Sequence, residues 1–284
     1  MIKNIIHVRA NAKVNLALHV IGQRSDGLHC LDSIVAFPNH GDELLFQKAN
    51  ELSLSISGPF GKQLLQETTK VSNIIISAAK LLKDSKNGAS IHLIKNLPIA
   101  SGIGGGSSNA AKTIQALSKL WNKQIPNLDE IIGLGADVPV CLSNNLQRMQ
   151  GIGQICSELS APPQMWVVLA NPGIIIPTAK IFNLLSFKKN AQLEPIPNLT
   201  DKGNFFEYLG RQRNDLEAVT CSLFPEVKYL LQIIKSTRGC RLCRMSGSGA
   251  TCFGLYTEKE HAQRAKKIIK ECFSKAWVMS ASLF

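Results

Sequence analysis

Gly102-Ile103-Gly104-Gly105-Gly106-Ser107-Ser108-Asn109 stands between a strand pattern, Ala89–Ile94, and a helix pattern from about Ser108 to Leu120 that keeps Ala110, Ile114 and Leu117 on one face. The loop opens at Pro98-Ile99-Ala100-Ser101. Its glycines let the backbone take positive φ and come close to a ligand. The helix that follows turns its free N–H groups and the positive end of its dipole toward the loop. Together they make an anion site suited to phosphate, to which Ser107 and Ser108 add hydroxyls able to donate hydrogen bonds or hold a metal ion. The loop is not a standard P-loop, because no Gly-Lys-Ser/Thr follows the glycines, and its spacing misses the dinucleotide fingerprint. Taken alone, it reads equally as a structural glycine-rich turn.

Upstream, Val14, Leu16, Leu18 and Val20 alternate with Lys13, Asn15, Ala17 and His19. That period of two predicts a half-buried strand over 12–20, with Lys13 and Asn15 together on the face away from the core. A helix is expected over 73–82, with Ser72 as its N-cap. Downstream of the loop, a short helix near 128–132 leads into Leu134-Gly135-Ala136-Asp137-Val138-Pro139. The pattern weakens around Ser157–Pro163, which sets the expected domain division at 1–158 and 159–284. The second half reads as a strand over 166–170, a helix near 178–185 and a polar, proline-containing insertion over 188–204. Helices near 215–223 and 225–234, strands over 241–245 and 251–256, a basic helix over 259–273 and a strand over 276–281 complete it. Mixed strand pairs with helices predict an α+β protein in two domains rather than a regular parallel sheet.

The bulk properties agree with a packed protein. Of 284 residues, 45% are hydrophobic and 18% charged, and the formal net charge is +12. Such a surface attracts polyanions, among them phosphorylated metabolites. The densest basic group, Arg264, Lys266, Lys267 and Lys270, reads as a solvated helix face. Met1-Ile2-Lys3-Asn4 leads into a strand pattern without an apolar stretch and cleavage site, so a cytoplasmic protein with reduced thiols is expected for the eight cysteines. Cys240-Arg241-Leu242-Cys243 has metal-type spacing but no second pair to complete a zinc site. No apolar run has the length of a membrane span, so no membrane partner is expected.

Three segments, in order, resemble the GHMP kinase superfamily: Ala12-Lys13-Val14-Asn15-Leu16, the Pro98–Ser108 loop and Met245-Ser246-Gly247-Ser248-Gly249-Ala250. A narrower likeness runs through Gly22-Gln23-Arg24-Ser25-Asp26-Gly27-Leu28-His29, Gly102–Ala111, Leu134–Pro139 and Asn171-Pro172-Gly173 with Ile176-Pro177-Thr178. These look like the branch that phosphorylates the tertiary 2-hydroxyl of a cytidine-diphosphate-linked methylerythritol, in the non-mevalonate isoprenoid precursor pathway. The resemblance implies a two-domain fold: an N-terminal domain like domain 2 of ribosomal protein S5 and a C-terminal ferredoxin-like α+β domain, with the active site in a cleft. It implies ATP and Mg²⁺ as cofactors and a small-molecule acceptor, acted on by a monomer or weak homodimer.

The resemblance also assigns roles. Asp137, an acid in an apolar stretch bounded by glycine and proline, matches the catalytic aspartate and would act as general base; a helix cap at the turn is the bland alternative. Lys13 would orient Asp137 and stabilise the phosphoryl group in flight, and Asn15 would bind substrate on the same face. His29 would read the cytosine edge, Phe182 would stack on it, and Thr178 and Leu28 would line the pocket, although the spacing of Phe182 also suits core packing. Asn73 and Lys95 match adenosine-site positions. Pro98, Gly102, Ile103, Gly104, Gly105, Gly106, Ser107, Ser108 and Asn109 would hold the phosphates and their metal, for which no acidic ligand other than Asp137 is evident near the loop. Gly247 and Gly249 would close the cleft beside the substrate, or serve a tight hairpin.

Two departures from the pattern bear on the base pocket. Leu28 stands where an aromatic Tyr is common, and Val35 stands where another aromatic is common. The stretch between Trp121 and Gly135 is short against the pattern, so a truncated helix is expected before Asp137. Two alternatives compete. Another small-molecule kinase of the superfamily, of homoserine or mevalonate type, lacks the Gly22–His29 and Gly135–Pro139 segments. A basic RNA-binding protein fits the net charge, but aromatics at 6% without an interleaved basic stripe argue against nucleic acid.

Overall fold

The computed structural model describes residues 5–68, 73–84 and 87–284. In chain order it contains β1 (Ile6–Asn11), β2 (Val14–Gln23), β3 (His29–Ala36), β4 (Gly41–Ala49), β5 (Ser53–Ser57), α1 (Gly61–Thr68), α2 (Ile74–Leu82) and β6 (Gly88–Ile94). Then follow α3 (Gly105–Trp121), α4 (Leu128–Ile132), a 3₁₀ turn (Pro139–Leu142), β7 (Gln147–Gly151), β8 (Ile155–Glu158), β9 (Met165–Asn171) and α5 (Thr178–Asn183). The chain closes with α6 (Lys202–Arg211), α7 (Glu217–Leu223), α8 (Pro225–Ser236), β10 (Cys240–Met245), β11 (Cys252–Tyr256), α9 (Lys259–Cys272) and β12 (Trp277–Leu283).

These elements form two compact units, each discontinuous in sequence. The first comprises Met1–Ala12, His40–Ile99 and Gly104–Asn144; the second comprises Lys13–Asn39, Ala100–Ile103 and Asn145–Phe284. The anticipated division at 158/159 coincides with the end of β8, inside the second unit.

In the first unit the strands run β1-β4-β6-β5, antiparallel except for the β5–β6 pair. Leu44, Phe46, Ile91 and Leu93 are fully buried, as are Ala110, Ala111, Ile114 and Leu117 of α3. The apolar stripe read from the sequence is therefore the inner face of α3. The helix begins at Gly105, earlier than the stripe indicates, with Gly104 as a left-handed N-cap at φ 61°. For α2 the side chain of Asn73 caps the helix by accepting from Ile75 N–H at 2.9 Å. The expected cap, Ser72, lies outside the described residues, as do Met1–Asn4.

In the second unit one antiparallel sheet runs β2-β3-β7-β8 and the other β10-β11-β9-β12. Leu18 and Val20 of β2 join a core with Val168, Ala170, Leu230, Ile234, Cys252 and Ile269. The half-buried β2 expected from alternation is corrected here, because Val14–Val20 is buried on both faces. The insertion over 188–204 covers the polar face. His19 Nδ1 donates to Ala191 O (3.0 Å), Asn190 N–H donates to Val20 O (3.1 Å) and Leu193 N–H donates to Asp32 Oδ2 (3.1 Å). Arg148 grips the same buried Asp32 with two hydrogen bonds, at 2.8 and 2.7 Å. The insertion also ends sooner than expected, since α6 already begins at Lys202, capped by Asp201.

On α9, Ala262, Ala265 and Ile269 are buried while Arg264, Lys266, Lys267 and Lys270 are exposed, so the basic group is a solvated face. Among the described residues, no helix is long and apolar enough to cross a membrane.

Candidate active site

In the second unit, three segments remote in sequence are tied together at Ser246. Its hydroxyl accepts from Asn15 N–H (3.1 Å) and donates to Gly102 O (2.9 Å). Lys13 N–H donates to Ile103 O (2.8 Å) and Thr251 N–H to Ser101 O (3.2 Å). The β10–β11 connection is thus sewn to the start of β2 and to residues 101–103. Gly102, at φ 75°, has no room for a side chain: a Cβ there would lie 2.5 Å from Ser246 O and 2.6 Å from Gly249 O. Gly247, at φ 56°, approaches Gly102 O so closely that a Cβ would lie 2.9 Å from it. These contacts give the late glycines a structural role, since the hairpin they shape meets residues 101–102.

Lys13 and Asn15 are buried here, 4% and 0% exposed. Asn15 Nδ2 donates to Ser33 Oγ (2.8 Å), and Ser33 Oγ donates to Ala17 O (2.6 Å). This relay fixes the amide orientation and leaves Asn15 Oδ1 as a buried acceptor without a hydrogen-bond partner. Such atoms in a folded interior call for an explanation, and a ligand is one.

The same neighbourhood continues into a ring platform. Thr178, the first residue of α5, shares a 2.9 Å hydrogen bond with Ser248. One turn later Phe182 packs on His29, with centroids 4.8 Å apart and planes tilted by 34°. His29 Nε2 is buried and unpartnered. Burial, followed by the positive charge of Lys188, holds this imidazole below its ordinary pKa, so the neutral ring is favoured. Leu28 precedes His29 in the β2–β3 connection and is 48% exposed, whereas Val35 is fully buried in β3. A ring at position 35 would belong to the core.

The first unit holds the other predicted residues. Asp42, at the start of β4, is fully buried and accepts from Lys95 Nζ (2.6 Å), Asn96 N–H (2.8 Å), Leu97 N–H (2.8 Å) and Asn109 Nδ2 (2.9 Å). One carboxylate therefore pins both the segment entering the loop, which ends at buried Pro98, and the first turns of α3. Burial lowers the pKa of Lys95, and Asp42 pulls it back toward the charged form. The Lys95 ammonium is thus committed to Asp42. It also lies so near Gly105 that a Cβ there would come within 3.1 Å. Gly106 is exposed and Ser107 half-buried, while Ser108 Oγ donates to Asn11 O (2.7 Å). Asn109 Oδ1 is a second buried acceptor without a partner. Asn73, the α2 cap, is half-buried.

Asp137 is half-buried in the turn before the 3₁₀ segment, where Val138 N–H donates to Gly135 O (3.0 Å). The helix before it is short, five residues from Leu128 to Ile132, and carries a full Asn127/Glu130 capping box.

Sequence reasoning assigned no role to Asp42, Ser33 or Ser246. Asp42 carries the mark used to single out Asp137, an acid beside a strongly apolar stretch; Ser246 is marked only by its place in the Met245–Ala250 segment, and Ser33 carries no mark. Magnesium needs few protein ligands when phosphates supply the rest. The Asn109 Oδ1 acceptor and the Ser107 hydroxyl fit an ion carried in with a nucleotide. Among the described residues there is no group of three or more His, Cys, Asp or Glu able to hold a metal. Cys240 and Cys243 pack against the core of the second unit, and burial pushes both thiols up.

The glycine-capped helix of the first unit and, within the second, the glycine hairpin that meets residues 101–103 beside buried Lys13 and Asn15 are the features expected of a small-molecule kinase of the GHMP class. The family model for the GHMP kinase N-terminal domain matches residues 73–145, and that for the GHMP kinase C-terminal domain matches residues 196–275. A 4-diphosphocytidyl-2-C-methyl-D-erythritol kinase of Cereibacter sphaeroides is 42% identical over 96% of this chain and 98% of its own. One from Paramagnetospirillum magneticum is 39% identical over 97% and 98%. The crystal structure of a 4-(cytidine 5'-diphospho)-2C-methyl-D-erythritol kinase superposes with a TM-score of 0.78 at 30% identity, covering 98% of this chain and 99% of that one. Homoserine kinase from Cytophaga hutchinsonii, at 18% identity, TM-score 0.67 and coverage of 100% and 96%, shares the fold. The chain belongs to the 4-diphosphocytidyl-2-C-methyl-D-erythritol kinase family of GHMP kinases.

Proposed function

We propose that this protein transfers the γ-phosphate of ATP to the 2-hydroxyl of 4-diphosphocytidyl-2-C-methyl-D-erythritol, in the non-mevalonate route to isoprenoid precursors. The observation that carries this reading is the continuity within the second unit from Gly102 and Asn15, through Ser246 and Thr178–Ser248, to the His29–Phe182 rings. In this reading the rings hold the nucleobase, and the chain of contacts links them to groups suited to a reacting hydroxyl.

Phosphoryl transfer depends on positioning and on neutralising charge. The N–H groups at the start of α3 and the Ser107 hydroxyl receive the ATP phosphates, with Asn73 and the Lys95 segment on the adenosine side. When bound, Mg²⁺ neutralises phosphate charge, and Ser107 and Asn109 are the side chains suited to hold it. Asp137 takes the proton from the acceptor hydroxyl, Lys13 stabilises the phosphoryl group in flight, and Asn15 Oδ1 accepts a hydrogen bond from the substrate. Neutral His29 reads the cytosine edge and Phe182 stacks on the base. None of the eight cysteines is in a disulfide, which suits a cytoplasmic protein, and we assign it as a monomer or weak homodimer.

The base assignment is tested with Asp137→Ala. Steady-state turnover falls by roughly 10²–10⁴-fold, the range for loss of a positioned general base, while a fluorescent ATP analogue binds as to wild type. Near-normal kcat in this variant rules the role out.

A further inference from the structure

Lys188 is not absorbed by the chemistry above, yet it sits at the edge of the ring platform. Its Nζ donates to Gln23 Oε1 at 3.2 Å. Gln23 is the β2 residue paired across the hairpin with His29. Its own Nε2 donates to Gly27 O (3.0 Å), so the amide oxygen is turned to the lysine. Lys188 is half-buried, and the chain just after it is tied down. Asn190 donates from its backbone N–H and its Nδ2 to Val20 O (both 3.1 Å), and from Nδ2 to Phe187 O (3.3 Å). The nearby hairpin charges are spent on each other, Arg24 with Asp26 at 2.9 Å. Among the described residues, no carboxylate is recorded within ion-pair distance of Lys188. A cation is thus held beside a nucleobase platform by a neutral amide, with its charge uncompensated.

We infer that Lys188 is a specificity-determining residue that binds the diphosphate bridge of the acceptor substrate, distinguishing a cytidine diphosphate from bare cytidine. A nucleoside diphosphate carries its negative charges a short reach from the base, and a hydrogen bond to an ionised phosphate is about twice as strong as one between neutral groups. The positive field that Lys188 exerts on His29 fits this closeness. The inference rests on the proposed function, because it needs a cytosine on the His29–Phe182 platform.

The test is calorimetric titration of wild type, Lys188→Met and Lys188→Arg with CDP and with cytidine. A saturating non-hydrolysable ATP analogue is kept present so that the nucleotide cofactor site is filled. The expected result is that wild type prefers CDP and that Lys188→Met loses about tenfold for CDP, the equivalent of one such contact, with cytidine affinity unchanged. Lys188→Arg retains the preference. In turnover, Lys188→Met raises KM for the cytidine-linked acceptor, with kcat and KM for ATP unchanged. An equal loss for CDP and cytidine marks a role in building the hairpin and overturns the inference, as does no change for either ligand. If wild type binds neither cytidine nor CDP, the proposed function falls and the inference with it.

Discussion

Leu28 ends the five-residue connection Arg24–Leu28, whose own hydrogen bonds fix its shape. Arg24 N–H donates to Leu28 O (2.8 Å), and Leu28 N–H donates to Asp26 Oδ1 (3.1 Å). The side chain is 48% exposed beside His29, so it supplies apolar contact without a ring face. Stacking of a base on an aromatic ring is worth about 1–3 kcal/mol. Leu28→Tyr is therefore expected to tighten cytidine binding several-fold in a calorimetric titration; weaker binding would place the base elsewhere. The residues best legible in the sequence are those whose type is demanded by backbone or chemistry. Gly102 is one, because a Cβ would strike Ser246 O at 2.5 Å, and glycine runs announce such crowding. Ser246 and Ser33 act through two short hydrogen bonds each, and serine is too common on surfaces to be marked by type alone.

At the scale of elements, the connection from β6 to α3 depends on Asp42. Removing its carboxylate in Asp42→Ala leaves the Lys95 ammonium, two backbone N–H groups and Asn109 Nδ2 buried without their acceptor. Breaking a buried ion pair from one side costs about 3–5 kcal/mol, so a marked drop in the urea midpoint and weaker ATP binding are expected. An unchanged midpoint would contradict the role. The insertion over 188–204 helps explain why β2 is buried on both faces: alternation reports which residues are polar, and polar residues are buried once a distant segment brings partners. His19 shows this, because its ring donates to Ala191 O and accepts from Arg213 N–H (3.3 Å). Burial, then the charge of Arg213, lowers its pKa. The group is thus neutral in the fold, and its contribution is fully present above the unfolded imidazole pKa of about 6.5 and is lost as pH falls through the lower folded value. Urea titrations across pH 5–8 are expected to show stability falling on the acid side, with a smaller fall in His19→Gln. An unchanged profile in that variant would exclude His19 as the source.

At the scale of the whole molecule, the +12 charge is carried in part by the solvated face of α9 and suits the proposed pair of phosphate-bearing substrates. The α+β class was legible from mixed strand and helix patterns. The threading was not, because residues such as Ala100–Ile103 belong by contact to a unit built mainly from the chain after Asn145, and local periodicity carries no information on long-range pairing. The proposed site stands out in the sequence because glycine loops and Lys13, His29 and Asp137 are chemically demanding positions. The supporting residues Asp42, Ser33 and Lys188 emerged from packing. The central claim is the identity of the acceptor, and the most direct measurement is ATP turnover in a coupled assay with 4-diphosphocytidyl-2-C-methyl-D-erythritol, homoserine, mevalonate or no acceptor. The account predicts ADP release and a phosphorylated product with the cytidine-linked acceptor alone; turnover with homoserine or mevalonate and none with the cytidine compound would contradict it.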